Sequence, residues 1–153
     1  MRPTIAHGAI TGLVGTAVMS VAFLVAKKAG MVPGKLEPKE IADNFEEKIG
    51  VRDYLPKPVF EASWMMLHLG YGTISGVVYT LALKMAPNLE RPMPTGPSLG
   101  VILWAFGYCG WLPLLGLYPL PTQVPKRKVG ANILAHMVYG TAAAVAHRVL
   151  KDD

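Results

Sequence analysis

The sequence predicts an all-α fold, a four-transmembrane-helix bundle built from two repeated helix pairs, with a short interfacial amphipathic helix between spans one and two. Apolar residues make up 52% of the 153 residues and charged residues only 16%, which is unusual for a soluble domain of this length. The charges are also segregated, so that uncharged runs remain at 3–26, 62–83, 92–125 and 129–147. A helix needs about 20 apolar residues to cross a bilayer. We therefore expect a single integral membrane domain, residues 1–153, with spans at about 4–26, 63–83, 98–117 and 130–150.

A motif that occurs twice indicates the internal repeat. His-Met-Val-Tyr-Gly-Thr at 136–141 matches His-Leu-Gly-Tyr-Gly-Thr at 68–73 in the order and spacing of its histidine, tyrosine, glycine and threonine. Each copy lies near the start of an apolar run. Matched helices that run in the same direction imply a pseudo-twofold axis along the membrane normal.

The basic residues predict the orientation of the bundle. The formal net charge is +5, and ten of the 15 lysines and arginines follow spans one and three, whereas five lie near the termini or between spans two and three. The positive-inside rule then places both of the basic loops in the cytoplasm and both termini outside. We expect the cluster Lys126, Arg127 and Lys128 to contact anionic lipid headgroups and no nucleic acid.

Span one carries a ridge of small residues spaced four apart, and span two has a related glycine. Helices in a bilayer associate through close van der Waals contact, so such a ridge marks the face against a neighbouring helix. Since four short helices bury little by themselves, we expect spare ridges to be available for a homo-oligomer or a larger membrane complex. The residues concerned are Gly8, Gly12, Thr16, Ser20 and Gly76.

The segment 38–49 predicts the short interfacial helix. Pro38 suits a first helical turn and Gly50 a C-terminal cap. Ile41, Phe45 and Ile49 form a narrow apolar stripe among charged residues. Because the segment is too short and too charged to span a bilayer, we expect it to lie flat on the membrane interface or on the ends of the bundle.

Spans two and four share an interior line of residues, and span three contains helix breakers. His68, Gly72 and Gly76 recur every four residues, as do His136, Gly140 and Ala144. In span three, Pro113 removes the hydrogen bond to the Cys109 carbonyl, and Gly107 and Gly110 lie nearby, so we expect a kink. Cys109 is the only cysteine, which excludes an internal disulfide.

The four histidines fall at two levels of the predicted bundle, with His68 and His136 on the loop side and His7 and His147 toward the termini. One interpretation is structural, in which each imidazole hydrogen-bonds a facing helix. The alternative is functional: His68 and His136 supply the two axial ligands of a haem b, and Gly72 and Gly140 leave room for the macrocycle. On this alternative, His7 and His147 could hold a second haem. We predict no divalent metal site, since no carboxylate or thiolate accompanies the histidines within the spans.

The sequence contains no Gly-rich phosphate loop, no nucleophile paired with a base at diagnostic spacing and no carboxylate pair within the spans. We therefore predict no catalytic residues. The favoured function is a non-enzymatic packing or accessory subunit of a membrane assembly. The alternatives are a haem b electron-transfer protein and a small transporter.

The segment Gly-Ala-Ile-Thr-Gly-Leu-Val-Gly-Thr-Ala-Val-Met-Ser at 8–20, together with the later His-x-x-Tyr-Gly motifs, resembles small bacterial inner-membrane proteins of the YagU-like type. The resemblance covers mainly spans one, two and four. It implies a multi-pass protein of the bacterial inner membrane without an established activity, and it carries no catalytic residue across.

Overall fold

The computed structural model describes residues 5–32, 34–86 and 92–152. These residues form five helices and no strand, which confirms the predicted all-α class. Four of the helices lie in segments long and apolar enough to cross a membrane. The helices are α1 Ile5–Lys28, α2 Glu37–Lys48, α3 Lys57–Met85, α4 Pro92–Phe106 and α5 Lys126–Asp152.

Helix α4 begins earlier than predicted and ends in a distortion. It starts at Pro92 rather than Ser98; Pro92 and Pro94 lie in its first turn, where proline loses no intrahelical bond, and Pro97 lies inside the helix. Beyond Phe106 the chain continues as a π-helical turn, Gly107–Trp111, and a last turn, Leu112–Leu114. Gly110 leaves the helical region there, with φ −114° and ψ −109°, so the predicted kink is confirmed.

The four long helices pack antiparallel to their neighbours. Helix α1 lies between α3 and α5, and α4 packs against the far side of α5. His7 of α1 lies beside His147 of α5, so the loop after α1 and the loop before α5 lie at the same end of the bundle. Helices α3 and α4 make little contact with each other.

Glycines bring the paired backbones into contact. A Cβ atom added to Gly8 would lie 2.7 Å from Val77 Cα, and one added to Gly12 would overlap the Gly72 carbonyl oxygen. On the other helix pair, a Cβ atom on Gly96 would lie 2.8 Å from Thr141 Cα. Such approaches are closer than any side chain allows. The ridge of α1 is therefore occupied within the chain.

Helix α2 lies across the loop end of the bundle, which is one of the two predicted positions. Asn44 Nδ2 donates to the Leu117 carbonyl at 2.9 Å, and Lys48 Nζ donates to the Leu115 carbonyl at 2.7 Å. Lys128 Nζ forms an ion pair with Glu40 Oε2 at 3.0 Å. These bonds attach α2 to the segment after α4 and to the first turns of α5.

The apolar stripe of α2 is only partly buried. Ile49 is 52% exposed, whereas Glu37 is 0% exposed and Glu46 is 4% exposed. The buried residues of α2 are Glu37, Ala42, Asp43 and Glu46, so three of the four are acidic. Ile41 and Phe45 instead face the cavity described next.

Candidate functional site

A cavity of about 430 Å³ lies between α3 and α4, within the range of small-molecule pockets. Helices α1 and α5 form its floor, and α2 covers it at the loop end. Among the described residues that line it, none carries a charged side chain. Its apolar wall includes Met19, Phe23, Ile41, Phe45, Leu103 and Leu112.

The cavity occupies a gap between α3 and α4, which meet through side chains near the distorted end of α4. The distorted end of α4 contributes Gly107, Tyr108 and Trp111 to the wall. The rings of Tyr71 and Trp111 approach to 6.0 Å between centroids and join the two helices across the gap. Gly70 of α3 enlarges the space further, since a Cβ atom there would meet nothing within 4 Å. The cavity thus results from the kink and from a missing side chain.

His68 lines the cavity and is oriented by α1. Its Nε2 lies 3.3 Å from Ser20 Oγ, and that hydroxyl donates its proton to the Thr16 carbonyl at 2.8 Å. A serine hydroxyl has a single proton, so the Ser20 oxygen accepts and His68 Nε2 donates. In the neutral imidazole, Nδ1 is then the acceptor.

His136 lines the same cavity and has the opposite tautomer. Its Nδ1 lies 2.9 Å from the Asn132 carbonyl, which can only accept, so Nδ1 carries the proton. Nε2 is therefore an acceptor, and it makes no hydrogen bond to any described residue. The ring of Tyr108 stands edge-on to His136 at 5.7 Å and fixes its plane. Both histidines thus offer an unprotonated nitrogen.

Two of the hydroxyl donors in the wall are bonded to the backbone. Tyr139 donates to the Gly72 carbonyl at 2.7 Å, and Ser75 donates to the Tyr71 carbonyl at 2.9 Å. The other polar groups of the wall are the two histidine acceptors and the donors of Tyr71, Tyr108 and Trp111.

The two glycines predicted to flank a haem face other helices. A Cβ atom on Gly72 would collide with the Thr16 hydroxyl of α1, and one on Gly140 would collide with the Gly96 carbonyl of α4. Their function in this structure is close helix contact. The structure does bring His68 and His136 to one cavity, but Gly140 does not belong to its wall.

His7 and His147 form a second group at the opposite end, so the predicted division into two levels is confirmed. Their ring centroids are 4.9 Å apart, and His7 Nε2 lies 3.2 Å from the His147 carbonyl. Thr80 Oγ1 lies 3.3 Å from His147 Nδ1. Rings in direct contact leave no space for a haem between them. This group fastens α1, α3 and α5 together.

Sequence reasoning missed a polar group beneath α2, next to the cavity. Glu37 is fully buried, and neither of its carboxylate oxygens makes a hydrogen bond to a described residue. Burial raises the pKa of Glu37 above its ordinary value, although Lys128 and Asn132 lie near enough to oppose the shift. Tyr108 lines the cavity and also lines a small neighbouring space that contains Glu37, so it lies between Glu37 and the cavity. No pattern in the sequence distinguishes Glu37 from the exposed acids of the same helix.

Comparisons with protein-family models, with curated proteins and with solved structures found no match to this chain. Among the described residues, no group of three or more histidine, cysteine, aspartate or glutamate side chains could hold a metal ion. The class that the fold defines is a helical bundle with four candidate membrane spans.

Proposed function

We propose that this chain is a small, non-enzymatic accessory subunit of a bacterial inner-membrane assembly, and that its cavity binds an apolar ligand taken from the bilayer. The observation that supports the proposal most directly is the cavity of about 430 Å³ between α3 and α4, lined by apolar side chains and two neutral histidines. A pocket of this kind is the usual form of a small-molecule site.

The outer surface supports insertion into a membrane. Large apolar side chains are exposed along the long helices, as on Val21 (60%), Leu24 (53%), Ile74 (65%) and Phe106 (65%). A soluble monomer rarely exposes so continuous an apolar surface. This lipid-facing surface is also where a second copy or another subunit would pack, since the glycine ridge is occupied. Lys126 and Arg127 remain exposed for anionic headgroups, whereas Lys128 turns inward to Glu40.

The close glycine contacts support the repeat. Gly72 approaches α1 beside Gly12 and Thr16, and Gly140 approaches α4 between Gly96 and Gly100. The two copies of the motif thus place an equivalent glycine against the preceding long helix. This is the arrangement expected of two related helix pairs.

Single-cysteine labelling tests the membrane topology. In a Cys109→Ala background, cysteines at Lys35 and Lys151 should be labelled from opposite sides, with Lys35 on the cytoplasmic side. Cys109 must be removed because it is exposed and would react. Labelling of both sites from one side would contradict four spans.

Filling the cavity tests ligand binding. Gly70→Phe should place a ring in the cavity, because nothing lies within 4 Å of a Cβ atom there. Gly130→Phe is the matched control, since Gly130 also has nothing within 4 Å but does not line the cavity. Saturable quenching of tryptophan fluorescence by ω-bromododecanol, in lipid nanodiscs, should be lost in the first variant and kept in the second. Equal quenching in both variants would refute a cavity site.

Haem b is the second candidate, because His68 and His136 line one cavity. His68 Nε2 is occupied by Ser20, so axial ligation through that nitrogen would require this bond to break. Visible absorption decides the matter. A six-coordinate haem gives a Soret band and sharp reduced bands that either histidine-to-alanine variant should abolish, whereas a folded preparation that stays colourless after haem addition removes the candidate.

A further inference from the structure

We propose that the ligand is a neutral lipid with a single long chain and a polar end that carries hydroxyl donors, and that His68 and His136 accept its hydrogen bonds. This inference rests on the proposed function, because it names the class of molecule that the cavity takes. It follows from which hydrogen-bonding groups the cavity leaves unused.

Two of the groups that the cavity leaves unused are acceptors. His136 Nε2 and His68 Nδ1 are the unprotonated nitrogens, as fixed by Asn132 and Ser20. A ligand that offers only acceptors, such as an ester or a ketone, would leave both nitrogens unsatisfied in an apolar site. An unsatisfied buried polar group is costly, so a donor is selected.

The donors in the wall do not compensate for those two nitrogens. The hydroxyls of Ser75 and Tyr139 are bonded to backbone carbonyls of α3, and the remaining donors, Tyr71, Tyr108 and Trp111, can bond an ether as well as an alcohol. A ligand hydroxyl can accept from such a donor and also donate to a histidine, whereas an ether or a ketone can only accept. The cavity therefore favours a ligand that carries a donor.

The electrostatics favour a neutral ligand. The described residues of the wall carry no charged side chain, so neither a carboxylate nor an ammonium group would find a counter-ion. Transfer of an unpaired ion into such a site is far more costly than transfer of a hydroxyl. This argument disfavours an ionised fatty acid or a phospholipid headgroup at the histidine end.

The shape favours one chain directed outward. His136 lies on the floor helix α5, whereas Met66 and Ile74 at the rim on α3 are 72% and 65% exposed. A polar end at the floor places the chain toward the gap between α3 and α4, where the rim is apolar. The chain would then continue into the surrounding acyl chains.

The test compares three probes of nearly equal length on the full wild-type chain in nanodiscs: ω-bromododecanol, its methyl ether and ω-bromododecanoic acid. Saturable quenching of the tryptophan at position 111, isolated by comparison with Trp111→Phe, gives the apparent Kd of each. We expect the ether to bind about tenfold more weakly than the alcohol, because one hydrogen bond in an apolar site is lost. The ionised acid should bind at least as weakly as the ether.

Variants assign the preference to a histidine. In His136→Leu, the alcohol and the ether should bind equally, whereas His136→Gln keeps an acceptor and should keep part of the preference. If the wild-type chain binds the ether, or the acid in its ionised form, as tightly as the alcohol, the inference is refuted while the cavity remains a binding site. If no probe quenches saturably, or Gly70→Phe binds all three unchanged, the proposed function itself fails. The comparison of the alcohol, the ether and the acid uses only the wild-type chain, so it does not depend on whether any variant folds.

Discussion

Replacement of Gly12 by Ala tests the backbone contact between α1 and α3. The added Cβ atom would overlap the Gly72 carbonyl oxygen and lie 2.8 Å from Thr73 Cα. Carbon atoms pack at about 3.5 Å or more, so the two helices must separate by about 0.7 Å. Both neighbours are backbone atoms and cannot rotate away. We expect an overpacking cost near the upper end of the usual range, about 3 kcal/mol, partly offset by about 1 kcal/mol of helix propensity.

Reversible unfolding in mixed detergent micelles measures this loss of about 2 kcal/mol. Gly130→Ala is the matched control, because nothing lies within 4 Å of a Cβ atom at that position. The control should be neutral or stabilise the chain by up to about 1 kcal/mol. If Gly12→Ala is as stable as the control, α1 and α3 do not approach as described, and the glycine ridge would again be free for another subunit.

Three further predictions concern single polar groups. Tyr139→Phe removes the hydrogen bond to the Gly72 carbonyl, so the free energy of unfolding should fall by about 1 kcal/mol, and an unchanged value would contradict that bond. Since burial raises the pKa of Glu37 above 4.5, the wild-type chain should lose stability relative to Glu37→Gln as the pH rises from 4.5 through the raised pKa, whereas a pH-independent difference would show that the pKa of Glu37 is not raised. Asn44→Ala breaks the bond to the Leu117 carbonyl, so amide hydrogen exchange should accelerate in α2 but not in α1, and uniform exchange would refute this anchoring of α2.

Much of the helical architecture could be predicted from the segregation of charge and from spacings of four. The uncharged runs predicted four long helices, and glycines such as Gly12 and Gly76 predicted a packing face. The periodic position of the histidines also predicted their two levels. These features depend on local sequence, since a residue's face and depth on a helix follow from the helical repeat.

Helix α2 shows where this reasoning stops. Its apolar stripe predicts a helix that lies flat on the membrane interface or on the ends of the bundle, but not which side is buried, and the buried residues are Glu37, Ala42, Asp43 and Glu46. The position of α2 depends on the carbonyl groups that accept from Asn44 and Lys48 and on Lys128, which forms an ion pair with Glu40. Those groups come from segments distant in sequence, so no local pattern reports them.

The cavity itself depends on a difference between two copies of one motif. Tyr139 lies against Gly15 of α1, where a Cβ atom would be 2.9 Å from its ring, and its hydroxyl reaches across to Gly72. Tyr71 occupies the same place in the other copy, but it faces Trp111 at the distorted end of α4. Tyr139 therefore closes the contact between α1 and α5, whereas Tyr71 spans a gap between α3 and α4. The kink after α4, together with this difference between the two tyrosines, leaves an open space beside His68 and His136, whereas His7 and His147 pack together.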